Sequence, residues 1–173
     1  MKKLPKKVYH YTSLKNWEKI QEDRALMPLS YALPVIWTVD ERIRQMVNGR
    51  NYLTALESPQ PDSWKKFGLI DYLMKHTTGE VLLEVPVLDT ENAFVRDHAL
   101  YSPRRFLDLC GEPIFDRLDK EERFPEELDK LIHDLRTEYL ESVIPFNSYD
   151  GRHKVPEIWL PQKTPIKLIK RIK

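Results

Sequence analysis

Between Glu80 and Leu88 the chain carries Val81, Leu82, Leu83, Val85 and Val87, an almost unbroken apolar run. Successive side chains of a strand point to opposite faces, so a run apolar at nearly every position fits a central strand covered on both sides. Pro86 lacks a backbone donor and marks the weak or terminal part of that strand. Other strands are readable on either side of it. Val8 to Thr12 alternates, with Tyr9 and Tyr11 on one face and His10 and Thr12 on the other. Val35 to Val39 is β-branched and aromatic, Asn92 to Tyr101 is a further strand of unclear period, and Val155 to Leu160 alternates again.

Helices separate these segments. Ser13 is a good N-cap for a helix running to Arg24, with Leu14, Trp17 and Ile20 at helical spacing. Asp40 is placed to cap a second helix carrying Ile43, Met46 and Val47, ended by Asn48-Gly49. Trp64, Phe67, Ile70, Leu73 and Met74 form a core stripe without chemistry, and Ser102 to Leu109 reads as a short helix. The clearest helix runs from Pro125 to about Val143. It has proline at its first position, Glu126 and Glu127 in its first turn, and Leu128, Leu131, Ile132, Leu135, Tyr139 and Val143 on one stripe. These elements predict an α+β fold, and 173 residues suit one domain spanning 1–173.

Two stretches stand out chemically. On the first strand, His10 and Thr12 share a face and can hydrogen-bond one ligand. On the late strand, Glu157 shares a face with Val155 and Trp159. A carboxylate between two apolar neighbours is costly if that face is buried and unpaired, which marks it as a candidate site. The bland alternative is an edge strand with Glu157 facing water or a lysine. Trp37 reads first as core, with Thr38 on the opposite face. His10, His76, His98, His133 and His153 have no metal-ligand spacing, and the lone Cys110 makes neither a zinc site nor a disulfide framework. No metal is expected. Five glycines include no phosphate-binding loop.

The pattern Tyr9-His10-Tyr11-Thr12-Ser13 before an amphipathic helix, with Glu157 on a late strand and Ile166 to Ile172 as closing strands, resembles the ADP-ribosyltransferase fold. It is similar to the DNA-targeting toxin-type transferases and the RNA 2'-phosphotransferases, whose first strand reads His-x-Thr. The resemblance covers about the first forty and last twenty-five residues. It implies a split, mostly antiparallel β core flanked by helices, with NAD as substrate. It also implies Glu157 as the catalytic carboxylate and His10 as the residue orienting the ribose. Tyr11, Thr12, Tyr31, Trp37 and Thr38 fall at NAD-binding positions, and Tyr149 and Arg152 match the loop that recognises the acceptor. Val155 stands where arginine-modifying members carry Glu or Gln, so a nucleic acid or another protein side chain is the expected acceptor.

Two other readings stay open. One is an RNA 2'-phosphotransferase-like enzyme, whose basic set would come from Arg24, Arg42, Arg44, Arg104 and Arg105. The other is a catalytically inactive binding or inhibitor protein of the same fold, or an unrelated α+β interaction module. Either non-enzymatic case predicts that His10 and Glu157 do not meet in one cleft. Lys2, Lys3, Lys6 and Lys7 at the start and seven bases from Arg152 to Lys173 form a basic patch if adjacent, although terminal lysines usually only solubilise. No apolar run is long enough to span a membrane, and a cytoplasmic location is expected.

Overall fold

The structure, a computed structural model, describes residues 5–28, 52–68, 70, 79–101 and 126–173. The expected second strand and its helix, Tyr31, Trp37, Thr38, Arg42 and Arg44 lie outside the described residues, as do Ser102 to Leu109, Arg104, Arg105 and Cys110.

The described part is a mixed fold of antiparallel sheets and a few helices, α+β in class. Strand β1 (Lys7–Thr12) leads through Ser13 into helix α1 (Leu14–Glu22). The Ser13 hydroxyl accepts from the Asn16 backbone N–H at 3.1 Å, satisfying a donor that the first helical turn leaves free. Then follow β2 (Ala25–Leu26), β3 (Leu53–Ala55), the short helix α2 (Asp62–Lys66), β4 (Val81–Pro86) and β5 (Phe94–Asp97). Helix α3 (Glu126–Glu141) precedes β6 (Ile144–Pro145), β7 (Pro156–Leu160), β8 (Thr164–Pro165) and β9 (Lys170–Arg171). Among the described residues no helix is long and apolar enough to cross a membrane.

One sheet has the order β1-β4-β9 and another the order β3-β7-β5-β6, with β2 and β8 paired separately. β4 is paired on both edges, and its two faces serve different clusters. Val81, Leu83 and Val85 enter the main core with Val8, while Leu82 packs with Tyr11, Leu56 and Trp64. Across the main core stand Leu53, Ala55, Val95, Ile158 and Leu160 of the second sheet, closed by Ile20, Phe146 and Tyr149. The sheets are stitched where Tyr9 and Leu56 exchange backbone hydrogen bonds of 2.9 and 2.7 Å.

Three segments differ from what their composition suggests. The strand predicted for 92–101 ends at Asp97, because the Asp97 carboxylate accepts the Ala99, Lys154 and Val155 backbone N–H groups and turns the chain into a 3₁₀ turn, His98–Tyr101. The closing run is a strand only at Lys170–Arg171. Pro165, at φ −58°, opens a 3₁₀ turn over Ile166–Leu168. Phe146–Ser148, expected as open loop, is a 3₁₀ turn with Phe146 buried. β1 and β9 flank β4, which brings Lys7 and Lys170 to either side of Glu84, and Lys7 pairs with Glu84 at 2.6 Å.

If the centre of β4 carries the core, Leu83→Ala should lower unfolding free energy by about 3 kcal/mol in urea denaturation. Leu88→Ala, on a residue 52% exposed, should change it by less than about 0.5 kcal/mol.

Candidate functional site

Glu157 sits in the middle of β7, an interior strand paired to β3 on one side and β5 on the other. It is buried at 8% exposure, so the reading of an edge carboxylate facing water does not hold. Its environment explains how a charge is kept there. Oε2 accepts the Trp159 indole N–H at 3.0 Å and a short hydrogen bond from the Tyr139 hydroxyl on α3. Oε1 faces His98 Nδ1 at 3.5 Å. Burial by itself would raise the carboxyl pKa. The His98 imidazole, with the Trp159 and Tyr139 donors, outweighs that and brings it down from 4.5 to about 2. Burial, reinforced by the Glu157 charge, pushes Tyr139 well above the ordinary phenol value, so it remains a donor.

His10, on β1, places Nδ1 2.8 Å from the Thr54 carbonyl oxygen. A carbonyl only accepts, so Nδ1 carries the proton. Burial lowers the ring's pKa more than that hydrogen bond raises it, which favours the neutral tautomer with Nε2 as an acceptor. His10 and Glu157 line one cavity of about 40 Å³, together with the other residues of Tyr9–Tyr11, the Thr54–Leu56 stretch and Trp64. It has room for roughly three water molecules, hence for hydroxyl groups of a ligand rather than a whole dinucleotide.

The remaining sequence candidates are placed as follows. Tyr11 lines the cavity while its hydroxyl donates to the Pro59 carbonyl at 2.7 Å. Thr12 is buried opposite Val81 and is not part of the cavity wall. Tyr149 packs in the main core with its ring tilted against His153 at 5.1 Å, and burial pushes its hydroxyl up to about 12. Arg152 is exposed and paired with Asp150 at 2.6 Å. Neither Tyr149 nor Arg152 lines this cavity. Among the described residues no cluster of three His, Cys, Asp or Glu side chains could hold a metal.

Five residues around Glu157 escape a reading by sequence alone. Trp64 was legible only as a core stripe, yet it lines the cavity, donates its indole N–H to the Pro156 carbonyl at 2.9 Å and stacks on His98 at 4.8 Å. Tyr139 was likewise one of many helical apolar positions. His98 carried no motif, and Arg96 meets Glu157 only through the β5–β7 register. Trp159 shares the Glu157 face by alternation, a signal that was visible without revealing its role as a donor. Comparison of the chain with protein-family models, curated proteins and solved structures gives no match.

The buried carboxylate carries a pH signature. The folded state holds Glu157 ionised below the pH at which it protonates in the unfolded chain, so the unfolded state binds more protons between pH 4.5 and about 2. Stability from this group is present above pH 4.5 and is lost as pH falls through that window, by about 3 kcal/mol. Urea midpoints measured from pH 5 to pH 2 should therefore fall less steeply in Glu157→Gln than in the parent.

Proposed function

We propose that the chain is an NAD-dependent ADP-ribosyltransferase, transferring ADP-ribose to a macromolecular acceptor, nucleic acid or protein. The observation that carries this reading is that His10 and Glu157, from opposite ends of the sequence, line one cavity. An inactive protein of the same fold would have no need to bring these two residues together. The wider resemblance, a split ADP-ribosyltransferase-like core with its NAD cleft between the halves, belongs to the same proposal.

In this reading the neutral His10 accepts a hydrogen bond from a ribose hydroxyl and orients the sugar. The bond between the ribose anomeric carbon and the nicotinamide nitrogen breaks, and its electron pair leaves with nicotinamide, cancelling the pyridinium charge. The sugar passes through an oxocarbenium-like state, and the ionised Glu157 faces that positive charge. A carboxylate already fixed by Trp159 and Tyr139 stabilises it without reorganising at the moment of reaction. A nucleophile of the acceptor then bonds to the anomeric carbon and releases its proton. The cavity takes the sugar hydroxyls, and the rest of NAD extends beyond it. Lys170 and Arg171 of β9, with Lys7 on the other side of β4, supply basic charge that favours a polyanionic acceptor over a cationic one.

The test is calorimetric titration with NAD of the parent and Glu157→Gln, with nicotinamide release followed in parallel. Both proteins should bind. Release should fall at least about 100-fold in the variant, the order expected for a lost transition-state charge interaction. Absence of binding by both at millimolar NAD would rule the reading out.

A further inference from the structure

Arg96 is 1% exposed, and neither its Nε nor its Nη1 makes a hydrogen bond. Buried guanidinium groups ordinarily meet a carboxylate with their fork of donors. Here the group lies instead over the Trp159 ring, 4.4 Å from its centroid, and 5.3 Å from the centroid of Tyr139. Those two residues also hold Glu157, the indole N–H and the phenol O–H both donating to Oε2. Each ring thus meets a cation on its π face and an anion at its polar edge. A cation over a ring draws electron density and makes the ring's N–H or O–H a stronger donor, while a carboxylate on that donor makes the face more attractive to the cation. The strand register sets Arg96 directly across from Glu157, so both charges depend on the same pairing.

We propose that Arg96 is a positioning residue for Glu157: the buried counter-charge that acts on the carboxylate through the Trp159 and Tyr139 rings, so that cation, rings and carboxylate behave as one unit. Its catalytic consequence rests on the transferase reading above. Its electrostatic content does not.

A double-mutant cycle on the full chain tests it, using Arg96→Met, Glu157→Gln and the pair in urea unfolding. Removing the cation alone takes the Arg96 counter-charge from a buried carboxylate, so Arg96→Met should reduce the folded-to-unfolded ratio at least about tenfold more in the parent than in the Glu157→Gln background. Equal effects in the two backgrounds, within about twofold, would overturn the inference. Should Arg96→Met not fold, Arg96→Lys serves in its place. Its compact ammonium does not spread over the rings, and it should cost at least about threefold more in the parent than beside Glu157→Gln; equal costs again overturn it. In nicotinamide release, Arg96→Lys should lower kcat about tenfold with KM for NAD unchanged, because Arg96 does not line the cavity. A raised KM with unchanged kcat would overturn the positioning role. Coupling in the cycle without any nicotinamide release would count against the transferase reading and leave the charge unit standing.

Discussion

A carboxylate in the middle of an interior strand sets the terms for everything around it. Moving an unpaired charge of this kind out of water costs several kcal/mol even after relaxation, so the surrounding elements have to supply donors and cations. Four residues from four elements do so. Trp159 comes from β7 itself, Tyr139 from α3, and Arg96 and His98 from β5 and the turn that follows it. The pairing of β5 with β7 is therefore fixed by more than apolar packing. A slip of one residue would set Val95 or Asp97 opposite Glu157, and it would carry the whole alternating set of β5 to the wrong face. The docking of α3 is tied to the same point, since its buried Tyr139 is both a core ring and a donor to the carboxylate.

Asp97 has a complementary task. It points away from the Glu157 face and spends its oxygens on the backbone N–H groups of Ala99, Lys154 and Val155, while the His98 N–H donates to the Val155 carbonyl at 2.8 Å. The end of β5 and the approach to β7 are thereby clamped together. Trp64 adds a third hold through the Pro156 carbonyl. Glu157 thus follows a segment whose backbone is fixed from two neighbouring elements, which is what a site needs if its geometry is to survive thermal motion.

The strands around this site were legible where the apolar pattern alone decides them. Val8 to Thr12 declares itself by alternation and Val81 to Pro86 by an almost unbroken apolar run, and Ser13 announces the helix that follows. Glu157 was legible for a related reason, since a charge between apolar neighbours conflicts locally with a buried face and such conflicts collect at functional positions. What surrounds it was not. Arg96 and Glu157 become neighbours only through a pairing between distant segments, and no periodicity encodes that register. Tyr139 looks like any other member of a helical stripe until its hydroxyl is seen to end on a carboxylate. The short closing strands have a simpler cause, because Pro165 fixes φ and starts a turn where the apolar Ile166 and Leu168 suggest extension.

The two oxygens of Glu157 are held differently. Oε2 is occupied by two donors that also belong to the core, so its hydrogen bonds are part of the packing of α3 and the second sheet. Among the described residues Oε1 has a single, longer contact, with His98 at 3.5 Å. That contact is loose enough for a ligand hydroxyl to compete with it. A carboxylate anchored through one oxygen and weakly held at the other is already oriented, and its charge is already compensated from behind. Under the transferase reading, such an arrangement lets Glu157 meet a developing positive charge in front with no rotation of its own, which is how a preorganised charge contributes more in the transition state than in the ground state.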